Sequence, residues 1–496
     1  MKRIVTILKT TLLMCCLWLP ASSMLGQNGV DIGVPSRLNP SRELPDQCWT
    51  DLVTEQPEGY VVDANGDVHL HSAEALAWLS VVSNGLNGQE ADDFDGKTVY
   101  LEENVDLTGY AWIPIATHIW TNACEDNRFF KGVFDGKQHR IDNIILSKGF
   151  DISYVGLFGN VVNGEIRNVV LAHCWLDFYY ETTGFHKCGL LAYMLKDGAV
   201  ARNCYVHCLD FKTNSGGMFV KIFPNSSVIN CMVRYDFKYE ANNGCGICDI
   251  NQGAIINCAS VVDTLRWPYS SEPSGIASVN DGTIRNCYSF WGDLEDFPFY
   301  APIAPRNGVA AYNDGGNIEN CFYNRMPQEW QFDEAPGYDG TFQNVSAYES
   351  EHGEWQLMNP IFMGNISTNN LVEALNLWID SLPNSEDYLR WRADTTGFNH
   401  GLPIFADYDL TNTAEDQLDD MTVTIYPNPA TDFVNIAGDD ISSASLYDIR
   451  GIAIPAKKWK GQTCIKIDMK GLDTGIYLIK VETINGICIM KRIVKS

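Results

Sequence analysis

Gly275-Ile-Ala-Ser-Val-Asn-Asp-Gly-Thr-Ile-Arg-Asn-Cys287 carries the pattern that decides the fold. It opens on a Gly followed by apolar residues and closes on an apolar-x-Asn unit, Ile284-Arg-Asn286, followed by Cys287. The Gly recurs at Gly156, Gly189, Gly217, Gly246, Gly275 and Gly308, in steps of 33, 28, 29, 29 and 33 residues. Eleven to fourteen residues after each falls the Asn: Asn168, Asn203, Asn230, Asn257, Asn286 and Asn320. A fixed period with two landmarks per unit marks a repeat architecture. The units hold frequent turn residues and no sustained 3.6-residue pattern, so they predict short strands stacked coil on coil by parallel pairing. Coils about 4.8 Å apart bring like side chains into columns. The Asn side chains can then hydrogen-bond as a ladder, and Gly allows turns with φ > 0. The inward phase is not fixed, because a bend at Asn resets the alternation.

Cys204, Cys231, Cys258, Cys287 and Cys321 follow five of these Asn residues and stack within the disulfide window of about 4.4–6.8 Å. Five thiols can make at most two neighbouring pairs; the expectation is a buried ladder of free thiols packing as small apolar residues. Cys245-Gly-Ile-Cys248 has CxxC spacing, but Cys245 occupies the pre-Gly position of Val155 and Cys188. Repeat packing accounts for it better than redox or zinc chemistry. His69-x-His71 lacks a third metal ligand nearby.

The chain has 496 residues, 45% apolar, 20% charged and a formal charge of −27. This composition excludes a polytopic membrane protein and a wholly disordered one. The acidity also argues against nucleic acid as a partner, since a phosphate backbone needs a basic footprint. Residues 421–496 reverse the sign, with 10 Lys and Arg against 7 Asp and Glu. At the other end, Lys2, Arg3 and Lys9 precede a short apolar run over Thr11–Pro20, and Ala21-Ser-Ser23 suits cleavage. Residues 1–26 are therefore expected to be a signal peptide, too short in its apolar run to span a bilayer, and no later segment predicts a transmembrane span.

After a polar stretch at 415–420 comes Tyr426-Pro427-Asn428-Pro429-Ala-Thr-Asp432, then short alternating strands, Gly475-Ile-Tyr477 and a basic end with Lys491 and Arg492. These motifs resemble the C-terminal sorting domain of the type IX secretion system of Bacteroidetes. The resemblance implies an immunoglobulin-like sandwich over 421–496, a partnership with the type IX machinery, and delivery to the surface of a Gram-negative cell.

The repeat region resembles the GLUG-motif proteins, whose Gly-Leu-x-Gly element is present literally at Gly156-Leu-Phe-Gly159. Later units depart from it, with Ala192, Val220, Asp249, Ser278 and Ala311 in place of Gly159. Upstream, Ser72 is a candidate N-cap for a short helix covering the first open coil. Leu371–Asp380 and Gly401–Phe405 look like the segment that usually closes such regions. The expected organisation is a linker over 27–60, a GLUG-like β-helix with its cap over 61–325, a closing segment and linker over 326–420, and the sorting domain. The fold class is all-β: a right-handed parallel β-helix (solenoid) followed by the small sandwich.

Catalytic motifs are scarce: no His-Glu-x-x-His helix, no Gly-x-Ser-x-Gly elbow and no P-loop. The best binding candidates are Trp291, Asp293, Glu295, Asp296 and Tyr300 in the longest inter-unit loop, with Trp267 and Tyr269 in an analogous one. Aromatics beside carboxylates can stack on a sugar ring and accept its hydroxyls, or hold calcium through oxygen ligands. The expected role is binding or adhesion toward a glycan or host protein. The alternatives are a polysaccharide-active hydrolase or lyase using Asp293, Glu295 or Asp296, and a structural surface component. The enzyme reading requires carboxylates converging across neighbouring coils.

Overall fold

The computed structural model describes residues 47–117, 128–146, 154–177, 187–244, 246–266, 274–295, 308–324, 340–351, 354–395, 399, 401–406, 424–426, 430–437, 441–448, 453–460, 464–472, 475–483 and 488–495. Strand predominates, 54% against 9% helix, so the chain is all-β. One large mixed sheet joins the strands from Tyr60 to Asn370. Its pairings are parallel between repeats and antiparallel at both ends, where Tyr60–Val62 lies on Val68–Leu70 and Glu354–Met363 lies on Thr341–Glu351.

The phase that the sequence left open is set by the pairing register. The apolar residue two places before each Asn lies in one continuous column that Phe134 begins: Phe134, Ile166, Ala201, Val228, Ile255, Ile284, Ile318 and Phe342. All but the last, which packs half-buried at the edge, are buried in a single core. Each full side chain removed from water there contributes about 1.5–3 kcal/mol. Parallel pairing also runs past residue 325, to Thr341–Glu351, where Phe342-Gln-Asn344 repeats the apolar-x-Asn unit with Asn344 at φ 51°.

Each landmark has its own physical reason. All six Asn residues are left-handed, φ between 51° and 55°, a corner that Asn tolerates better than other non-Gly residues. None of the six Gly residues has a positive φ, which corrects the expectation that Gly supplies the turn. A Cβ on Gly189 would sit 2.0 Å from the Ala192 carbonyl oxygen, and one on Gly275 2.0 Å from that of Gly308. Close approach of backbones, not conformational freedom, requires Gly at these positions.

The Asn ladder forms as expected. Asn203, Asn230, Asn257, Asn286 and Asn320 each donate Nδ2 to the preceding Asn Oδ1 at 2.7–3.2 Å, and Asn168 donates to Asp135 at 3.0 Å. A second buried ladder, absent from the sequence expectations, runs Asn251 to Asn280 to Asn313 at 2.7 Å per step.

The five stacked cysteines are buried and free. Their sulfurs donate to the carbonyl two residues back, as Cys231 does to Ile229 at 3.3 Å and Cys287 to Arg285 at 3.1 Å. Burial pushes the thiols of Cys204, Cys258 and Cys287 up, whereas at Cys231 hydrogen bonds from Cys204 and Cys258 outweigh burial and draw the thiol down; all five are shielded from solvent. In native protein, 5,5′-dithiobis(2-nitrobenzoate) is expected to leave all five unreacted over an hour and to label them within minutes in guanidinium. Fast labelling of the folded protein, or disulfides by mass mapping, would contradict this arrangement. Cys248 is likewise buried, whereas its CxxC partner Cys245 lies outside the described residues.

Two further segments enclose the stack. Ser72 caps the helix Ala73–Asn84 as expected, its Oγ accepting from the Ala75 amide at 3.2 Å. The helix is tied to the next segment by Ser80 Oγ to the Ile113 carbonyl and by Asn84 to the Pro114 carbonyl and Thr117 amide. The helix Leu371–Asp380 and Gly401–Phe405 pack along the flank, over Tyr205, Met232, Tyr288 and Phe322. The Asn ladder holds this flank segment by its free side: Asn257 Nδ2 donates to the Leu389 carbonyl, and its Oδ1 accepts from Trp391 Nε1 at 2.6 Å.

From Thr424 the chain forms two four-stranded antiparallel sheets. Val434, Ile436, Ile465 and Ile467 of one face Ala444, Leu446, Ile479 and Val481 of the other in a separate core, the small sandwich expected.

Candidate functional site

The expected binding strip lies only partly within the described residues; Trp267, Tyr269, Asp296 and Tyr300 fall outside them. Trp291 is 2% exposed and joins the main core, so it offers no face to a sugar, contrary to expectation. The reason is local: strand Tyr288–Glu295 continues through the stretch read as loop, and alternation turns Trp291 inward, in register with buried Val262. Asp293 and Glu295 lie on the same strand, in register with Thr264 and Arg266.

A different cluster was missed. His173 and His207 are equivalent residues of consecutive repeats, in Ala172-His-Cys174 and Val206-His-Cys208, a recurrence visible in the sequence but overlooked beside the Gly and Asn landmarks. Leu171 pairs with Val206 and Cys174 with Cys208, so one extra residue makes a bulge, and His173 takes φ 54°. Its Nδ1 lies 3.2 Å from Asp142 Oδ1, and its ring meets that of His207 edge-on at 5.4 Å. Asp142 is buried and receives Arg140 Nε at 2.5 Å. Asp106 stands nearby; although burial opposes ionisation, hydrogen bonds from Thr108 and Asn143 and the charge of His173 hold its carboxyl below the usual range. A histidine fixed through Nδ1 by a buried carboxylate presents Nε2 as its second hydrogen-bonding atom, the arrangement of an oriented acid or base.

His69 pairs with Glu102 at 2.6 Å rather than with a third metal ligand. Among the described residues, no three His, Cys, Asp or Glu side chains converge to hold a metal, and no helix is long and apolar enough to cross a membrane.

The sandwich gathers motifs that are far apart in sequence. Tyr426 ends the strand Thr424–Tyr426 and is exposed; Pro427, Asn428 and Pro429 lie outside the described residues. Gly475 and Tyr477 lie on Gly475–Thr483, whose antiparallel partner Cys488–Lys495 carries Lys491 and Arg492. Ala430, just past Pro429, bridges to Lys495. Tyr426, Ala430, the Gly-x-Tyr strand and the basic end are thus parts of one small domain.

Comparison with known proteins agrees with that grouping. No solved structure matches the chain. Beta-agarase D of Zobellia galactanivorans is 35% identical over 72 residues, 14% of either chain, so the chain spans about a seventh of that relative's length. Residues 424–496 match the family model of the secretion system C-terminal sorting domain, and this tail marks the chain as type IX secretion cargo, destined for secretion or the cell surface.

Proposed function

We propose that the protein, once exported, is a surface-attached binding or adhesion protein whose stack is a right-handed parallel β-helix of the GLUG-like kind, with an immunoglobulin-like tail. The observation that carries this reading is the unbroken register from Phe134 to Phe342, which repeats outward positions at about 4.8 Å per rung. Such a column suits a long repetitive ligand, and solenoid loops are where binding usually lives. The right hand follows from the strong preference of parallel crossovers. A glycan or host protein remains the ligand class, and calcium fits through the carboxylates of Asp293, Glu295 and Asp296.

A second reading, a polysaccharide-active hydrolase or lyase, is favoured by one observation: His173 held by buried Asp142 at a strained backbone position. Native affinity electrophoresis of the protein through gels carrying host and plant polysaccharides separates the readings. Retardation with intact polymer is the expected result. Shortened polymer, lost in His173→Ala, would replace binding by catalysis. No shift on any polymer or host matrix protein would leave the purely structural role.

A further inference from the structure

The tail's outer face carries an aromatic–lysine row. Tyr426 pairs with Asn435, Asn435 with Lys466, and Lys466 with Trp459, so these four form one row across the sheet. Val434, Ile436, Ile465 and Ile467 point into the core, and strand alternation therefore turns the row outward. Tyr426 is 47% and Trp459 41% exposed. They are the only exposed large hydrophobic side chains among the described residues of the sandwich, and both lie in this row.

The cations around it are held in place. Lys466 Nζ lies 4.0 Å from the centre of the Phe433 ring and Lys470 Nζ 4.9 Å from it. Lys457 Nζ lies 5.2 Å from the Trp459 ring, and Phe433 and Trp459 meet edge-on at 5.7 Å. Cation–π contact fixes each ammonium over a ring, so less rotamer freedom remains to be lost on docking. Asp432, 3.7 Å from Lys470, and Asp468, in register with Phe433, are the carboxylates at the edge of this cluster.

We propose that this face is the surface by which the export machinery grips the sorting domain, and that the partner surface is acidic with an apolar seat for Trp459. The proposal rests on the sorting role of the tail. Exposed Trp and Tyr beside fixed cations are the composition of interface hot spots. Charge adds selectivity: the chain is −27 overall, while residues 421–496 carry 10 Lys and Arg against 7 Asp and Glu. An acidic receptor surface therefore attracts the tail and repels the body of the same molecule.

The test is export of the full chain from a host with a type IX system. Trp459→Ala and Lys466→Glu are expected to lower the exported fraction about tenfold or more, with folded protein accumulating in the periplasm. Lys480→Glu makes the same charge change on the other sheet and should leave export unchanged. Melting temperature and trypsin resistance are read for each variant, and Lys466→Gln stands in if the Glu variant does not fold. Wild-type export of folded Trp459→Ala and Lys466→Glu or Lys466→Gln overturns the proposal. Deletion of 424–496 must abolish export; if it does not, the sorting role itself fails, and this proposal falls with it.

Discussion

Asn257→Ala is expected to destabilise the protein by about 4–6 kcal/mol, seen as a lowered urea midpoint by tryptophan fluorescence. Asn257 is fully buried, and its side chain makes four hydrogen bonds. Nδ2 donates to Asn230 Oδ1 and to the Leu389 carbonyl; Oδ1 accepts from Asn286 Nδ2 and Trp391 Nε1. Truncation strands partners on two sides, the ladder and the flank segment, and each orphaned buried polar group costs about 1–3 kcal/mol. Ala at φ 55° adds about 1–2 kcal/mol of backbone strain. Asn257→Gly should recover that strain and no more. Asn225, exposed at φ 66°, isolates the strain when changed to Ala. A loss below about 2 kcal/mol for Asn257→Ala would mean that the ladder does not bind the flank segment to the stack.

Gly275→Ala should cost at least about 3 kcal/mol, the upper end of overpacking. The new methyl would lie 2.0 Å from the Gly308 carbonyl oxygen and 2.3 Å from Ser289 Oγ. Those two atoms are themselves hydrogen-bonded at 2.6 Å, so the methyl would part a buried pair as well as push the next rung away. Backbone cannot swing aside as a side chain does, so the strain has to spread along the ladder. The expected signs are a lower melting temperature and faster trypsin cleavage between neighbouring repeats. Gly66→Ala serves as the control: its φ is 89°, but nothing lies within 4 Å of the added methyl, so it pays strain alone. Equal effects from the two substitutions would show that close approach is not why Gly275 is Gly.

Much of this architecture is legible in the chain because repetition multiplies a weak local signal. One apolar-x-Asn triplet means little, but six at near-constant spacing predict strands paired in parallel from repeat to repeat, an Asn ladder and a thiol column, and these three features are present. The tail is legible for another reason: its motifs are dense, ordered and confined to one small domain. The burial of Trp291 is not legible in the chain. A cluster of aromatic and acidic residues looks like an exposed loop until the register carries the strand through it and turns the indole inward. His173 is hidden in the opposite sense, because its role depends on a bulge and on Asp142, which lies 31 residues away in sequence.

The sequence by itself determined the period, the all-β class and the export tail, since each depends on residues close together or repeated at a fixed interval. Only the tertiary structure decided which side of each strand is buried, why the Gly positions exclude a methyl, and that the flank segment is held by the Asn ladder. Those three depend on the distance between one rung and the next. A slip of one residue in pairing would exchange every inward side chain for its outward neighbour, and the chain carries no local mark of that choice.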